Sequence, residues 1–179
     1  MQPTRDINQI SSSGICKICT QDISRRSYLK HLKSCLHKKG RQREEEPSIV
    51  IHVKANADSR YYLIIMARPD ATFYELNTIF QKILRSEGDP SSRFQFRDQY
   101  YFSHMNDGFP GMNVPISSSP LMHEPFLYLL YSGGWFPSLL TGEIMGEIPY
   151  APRGENKVEI VAMNGMPEEH HRWPQRPKD

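Results

Sequence analysis

The sequence predicts an α+β protein, a small zinc finger followed by a mixed domain of order strand, strand, helix, strand and then further strands. Three observations predict it. All three cysteines and one histidine stand at metal-ligand spacing between positions 16 and 35. Two apolar, β-branched runs, 48–54 (SIVIHVK) and 61–67 (YYLIIMA), carry the strand pattern. One amphipathic stretch opens on Thr72 with Glu75 three residues later, the mark of a capping box at a helix start. A chain of 179 residues suits one ordinary domain with a small appendage.

From the N-terminus, residues 1–13 are polar, have no apolar signal core, and read as a flexible leader. The finger occupies 14–39. Residues 40–47 (GRQREEEP) form a charged linker that closes on a proline, and the α+β domain occupies 48–165. After the two strand candidates, Phe73, Leu76, Ile79, Phe80, Ile83 and Leu84 recur at helical spacing, so their stripe is core. A short strand follows at 94–96, extending as far as 102. Residues 104–120 are a long Gly/Pro/Ser/Asn loop, a length that points to function or mobility. Later strands are expected at 126–131, 139–148 and 158–163. Residues 166–179 are polar and proline-rich and read as a flexible tail. The most apolar run, 126–140, is broken by Ser132, Gly133, Gly134 and Pro137, and falls short of the ~18 apolar residues of a membrane span. A soluble, cytoplasmic protein is expected.

The finger carries the most specific chemistry. Its spacing is Cys16-x2-Cys19, eleven residues, then His31-x3-Cys35. Two cysteines three apart fit a tight knuckle whose thiolates face one cation. His31 and Cys35, four apart on a helix, project from one face toward the same cation. Mixed thiolate and imidazole ligation at this spacing favours Zn2+. Four protein ligands close the tetrahedron, so the expected role is structural rather than catalytic. His37 is an alternative to Cys35 as fourth ligand, because His-x5-His is also an allowed spacing. Ser24 is the candidate N-cap of the helix, and Tyr28, Leu29, Leu32 and Ile23 are candidates for a miniature core. Such a segment buries too little to fold unaided, and metal coordination would supply ~10 kcal/mol or more of its folding free energy.

Charge is divided unevenly along the chain. Before Glu44 there are ten basic residues against two acids, a net +8, which leaves −6 for the remainder of a chain whose total is +2. Arg25, Arg26, Lys30 and Lys33 fall on the finger helix away from the ligands, and Lys38 and Lys39 continue the charge. A basic helix on a finger is the electrostatic footprint of nucleic-acid binding, and those six residues are the candidate contacts. The alternative is a solvated helix face on a finger that docks another protein.

No catalytic constellation stands out in the remainder, and no small-molecule substrate is evident. His52, His104 and His123 are scattered. Glu143 and Glu147 have the spacing of an acid/base pair, but such spacing is common by chance. The Ser132-Gly133-Gly134 segment lacks the Lys-Ser/Thr that a phosphate-cradling loop requires and reads as a hairpin turn. His170 and His171 lie in the tail without cysteines.

The finger GICKICTQDISRRSYLKHLKSC, followed by PDATFYELNTIFQKILRSEG and SSRFQF, resembles the plasmid pRiA4b ORF-3-like proteins, which are often labelled passenger TnpR proteins of insertion elements. FLYLLYSGGWF and VEIVAMNGMPEE extend the resemblance, in pieces, over most of 14–169. Leu130 stands where the family has an acidic residue, and EEHHRW stands where some members carry a cysteine pair. The resemblance implies an α+β body of strands packed on a helix with no established enzymatic activity. A recombinase would need a serine or tyrosine site, and none is visible. The expected function is a zinc protein acting as a nucleic-acid-associated accessory or adaptor of a mobile element or its host. The alternatives are a protein-interaction module and, last, an enzyme with its site in the 104–120 loop and the 132–135 turn.

Overall fold

The computed structural model describes residues 13–56, 61–84, 86, 88, 90–104, 110–131 and 137–164. Residues 1–12 of the expected leader, the expected turn at 132–135, and the expected tail with His170 and His171 lie outside the described residues.

The chain is built on one sheet. Its strands are β1 (Ser13–Cys16), β2 (Asp22–Ser24), β3 (Arg43–Ala55), β4 (Tyr62–Ala67), β5 (Ser91–Gln95), β6 (Tyr100–Phe102), β7 (Phe126–Tyr131), β8 (Ser138–Tyr150) and β9 (Val158–Met163). They lie in the order β2-β1-β9-β4-β3-β8-β7-β5-β6, with antiparallel pairing throughout. Two helices of eleven residues each, α1 (Tyr28–Lys38) and α2 (Phe73–Ile83), complete the described regular structure apart from short 3-10 turns. This corrects the expected α+β class: the protein is mainly β. The knuckle of the finger adds two strands to the sheet through β1 and β9, and β3 and β8 each run for thirteen residues.

The strand lengths have local causes. β3 begins at Arg43, inside the charged 40–47 segment, and its register on β8 shifts between Arg43 and Ser48. Pro47 sits in that interval, where a residue without an N–H can be tolerated. β8 continues past a second register shift, where Gly146 adopts φ 151 and approaches Leu29 of α1 closely enough that a Cβ would sit 2.9 Å from it.

The sheet buries both faces. On one, Ile49, Ile51, Val53, Leu63 and Ile65 meet α2 through Phe73, Leu76 and Phe80, with Phe94, Phe126 and Tyr128 from the far strands. Gly142 leaves room there for the Phe126 ring, which a Cβ would meet at 2.1 Å. Asn77 of α2 accepts 2.7 Å hydrogen bonds from the Ser92 and Tyr128 hydroxyls, so the buried amide is a polar pin rather than a defect. At the helix start, the Thr72 N–H donates to Glu75 at 2.7 Å, as the capping pattern predicts. Part of the 104–120 segment supports the same helix. The Val114 and Met112 carbonyls accept from the N–H groups of Phe73 and Tyr74, which the helix itself leaves without partners.

On the opposite face, Val50, Ile64, Met66, Ile148 and Val161 meet Tyr28, Leu32 and Leu36 of α1. The finger helix therefore closes over the sheet and does not pack on a miniature core of its own.

Candidate metal centre

The knuckle forms because β1 and β2 are antiparallel and the chain turns tightly between them. The Thr20 N–H donates to the Cys16 carbonyl at 2.8 Å, and the Cys16 N–H donates to the Gln21 carbonyl at 2.9 Å. Thr20 takes φ 63, the left-handed conformation such a turn demands. Ser24 does not cap α1. It precedes a 3-10 turn (Arg25–Ser27), and its hydroxyl pairs with that of Ser27.

Three attachments hold the knuckle and the helix to the sheet. Cys16 is in register with Ala162 on β9, and the Lys17 N–H donates to the Val161 carbonyl at 2.9 Å. The same carbonyl accepts a 2.7 Å bond from the Tyr28 hydroxyl, whose titration burial pushes far up. Arg41, just past the helix, forms a forked pair with Glu159 at 2.9 and 3.0 Å and also donates to the Ala151 carbonyl at 2.8 Å.

These attachments bring Cys16, Cys19, His31 and Cys35 together, with one potential ligand atom from each and all four within 4.8 Å of one another. Cys19 Sγ lies 3.4 Å from His31 Nε2. Cys16 and Cys35 are buried, Cys19 and His31 half-buried. The residues fit a metal ion by chemistry as well as distance. Burial, together with Cys19 and Cys16, pushes the Cys35 thiol up to about 12, so a lasting thiolate there calls for a cation. At Cys19 burial also acts upward, but hydrogen bonds from the Gln21 backbone and from Cys35 and Cys16 outweigh it and hold that thiol low. Burial and then Lys38 lower His31, which favours the neutral imidazole a metal ligand needs. His37 is exposed and is not among the four clustered groups.

Six further residues were candidates for nucleic-acid contact, and all of Arg25, Arg26, Lys30, Lys33, Lys38 and Lys39 are exposed. They do not form one uniform group. Arg25 reaches across to Glu143 on β8 at 3.3 Å. Lys38 and Lys39 line a hollow of about 160 Å³ beside Cys19, His31 and Cys35. Lys30 and Lys33 lie on the outward side of α1 with His37.

Sequence reading missed the surroundings of His52. Its ring is buried at 2% exposure, 3.7 Å from Glu143 through Nδ1, while Nε2 and the neighbouring Tyr62 hydroxyl lack hydrogen-bond partners. Burial, Arg25 and Lys54 depress its titration to about 4. The alternation of SIVIHVK puts His52 with Ser48, Val50 and Lys54, on the face opposite Ile49, Ile51 and Val53, and the packing of the finger makes that side an interior. Glu143 and Glu147 stand opposite His52 and Ile49, which lie on different faces of β3, so they do not converge. His104 and His123 are exposed and lie on segments remote in sequence from the cluster.

No protein-family model and no curated protein matches this chain. Among solved structures, a crystal structure of a protein of unknown function from Methanosarcina mazei Go1 is similar, with a TM-score of 0.53 at 13% identity over 65% of this chain and 67% of that one. At that identity the likeness speaks for the fold alone. Among the described residues, no helix is long and apolar enough to cross a membrane.

Proposed function

We propose that Cys16, Cys19, His31 and Cys35 hold one structural Zn2+, and that the centre fastens a basic helix to the sheet so that it can contact nucleic-acid phosphates. The observation that carries the reading is the cluster itself: four ligand groups within 4.8 Å, drawn from a knuckle and a helix that both contact the sheet. Zn2+ is favoured because three thiolates and an imidazole suit its tetrahedral preference. A bound Zn2+ supplies positive charge and a cross-link, and leaves no ligand position open. Three thiolates against two positive charges leave the centre at −1, which Lys38 and Lys39 at its rim offset.

Arg26, Lys30 and Lys33 then remain as exposed cations for a phosphate backbone. With the resemblance to pRiA4b ORF-3-like proteins, this supports an accessory or adaptor protein of a mobile element or its host. Metal analysis of the purified chain tests the first half: one equivalent of zinc is expected, falling sharply in Cys35→Ser and persisting in His37→Ala. For the second half, duplex affinity measured across a salt series should fall with a log–log slope of about −0.9 per phosphate contacted. A flat salt dependence would remove the nucleic-acid half and leave the zinc half intact.

The second reading, a protein-docking finger, is favoured by the Arg25–Glu143 pair, which spends one cation on the sheet. Under it, reversal of Lys30 and Lys33 weakens capture of a protein partner and leaves nucleic-acid binding at its starting level.

A further inference from the structure

α1 covers the β9-β4-β3-β8 part of its face of the sheet, and the same face continues onto β7, β5 and β6. Register identifies the side chains there. Phe102 stands opposite Arg93, which stands opposite Leu129, and Tyr100 stands opposite Gln95, which stands opposite Leu127. On the α2 side of the same strands, Phe94, Phe96, Tyr101 and Tyr128 are buried. On this side Leu129 is buried, Arg93, Gln95, Tyr100, Phe102 and Leu127 are half-buried, and Tyr131 is 37% exposed. The Arg93 guanidinium lies 5.5 Å from the Tyr100 ring centre and 6.0 Å from that of Phe102.

A purely structural face would bury its rings or replace them with polar residues. Here the strands place aromatic rings, an amide and a cation side by side, and among the described residues no acid lies on this face of β5, β6 or β7. Lys54 on β3, in register with Thr141 and through it with Leu127, adds a cation on the same side, where Glu143 of the intervening β8 is paired with Arg25. An anionic partner with flat faces matches both properties. Unstacked bases lie on Tyr and Phe rings without regard to sequence, and cations beside them meet the phosphates. A paired duplex keeps its base faces inside and has nothing to lay on the sheet.

We infer that the β7-β5-β6 face binds single-stranded nucleic acid, with the Tyr100 ring and the Arg93 guanidinium lying over it as a base-stacking platform and Lys54 meeting the backbone. This rests on the proposed function and narrows it from nucleic acid in general to unpaired strands at a second surface. That surface stands apart from the finger, since no residue of the metal cluster takes part.

The test uses the full zinc-loaded chain and two labelled probes, an oligodeoxythymidine strand and a duplex of the same length, read by fluorescence anisotropy. Tyr100→Ala should weaken strand binding by about 10-fold, within the ~5- to 150-fold range of a lost stacking contact, and leave duplex binding unchanged. Tyr100→Phe should retain strand affinity, which separates stacking from damage to the edge strand. Reversal of Lys30 and Lys33 to Glu should weaken duplex binding more than strand binding, since the strand has its own surface; if it changes neither while Tyr100→Ala still acts, the finger reading fails and the sheet-face assignment stands. Equal loss of both probes in Tyr100→Ala, no loss of the strand, or no strand binding by the wild-type chain overturns the assignment. Self-association abolished by Tyr100→Ala, without strand binding, would give the face to a second copy of the chain and overturn it equally.

Discussion

The α1 and α2 sides of the sheet rest on helices of equal length, but they reach their stability by different means. On the α2 side, seven rings (Phe73, Phe80, Phe94, Phe96, Tyr101, Phe126 and Tyr128) pack with neighbouring centroids 4.7 to 6.4 Å apart, and Asn77 is hydrogen-bonded among them. Each ring removes a large apolar surface from water and adds a directional contact, so this side closes chiefly by aromatic packing around one hydrogen-bonded amide. On the α1 side the helix contributes one ring, Tyr28, and three leucines, Leu29, Leu32 and Leu36, and two of its eleven positions belong to the Cys3His cluster. The strands facing α1 add few rings to that side, and the Cys3His cluster stands at the edge of the helix. Under the proposed function, metal ligation adds on the α1 side the constraint that aromatic packing supplies on the other.

The largest expected effect is at the ligands. Cys16→Ser should remove most zinc affinity and release α1 from the sheet, because structural zinc commonly contributes ~10 kcal/mol or more to folding. Competition with a chromophoric chelator measures it. On the other side, Phe80→Ala should cost about 3–5 kcal/mol in urea unfolding without changing zinc affinity. If the two variants had interchangeable effects, the distinction between the sides would fail. Gly142→Ala should cost about 1–3 kcal/mol, since its Cβ would overlap the Phe126 ring and force that packing to shift.

A pH series separates the sides again. His52 lies on the α1 side of the sheet, facing Glu143, Arg25 of the 3-10 turn, Lys54 and Tyr62. Its folded titration is depressed to about 4, against about 6.5 for the unfolded chain. Between those values the unfolded state binds the extra proton, so stability falls as pH drops through that window and levels off below it. His52→Gln should flatten the stability profile there, as measured by denaturant midpoints at successive pH values. The smallest effect belongs to Arg25→Ala: both partners of its ion pair are about half exposed, so a loss within about 1 kcal/mol is expected from chemical denaturation.

Much of this was legible in particular residues. Helix α2 follows from Thr72, Glu75 and the spacing of Phe73, Leu76 and Phe80, all local signals. The cluster of four ligands follows from their spacing, since CxxC turns and i,i+4 helix positions have known directions. The mainly β class was not legible, because it depends on pairing between the chain's two ends: Ile15 meets Met163 and Cys16 meets Ala162. Nothing near Cys16 announces that partner. β3 also begins among charged residues that are exposed along a strand, and charge reads as linker when only neighbours in sequence are considered. The interior position of His52 was hidden for the same reason, as its cover comes from a distant segment.

Hydrogen exchange on the full chain, compared with zinc bound and after chelation, tests the clamping of the finger to the sheet most directly. Amides of α1 and β1 are expected to lose protection when the metal is removed, while those of α2, β5 and β7 keep it. Protection of α1 that is the same in both states would contradict a metal-clamped finger.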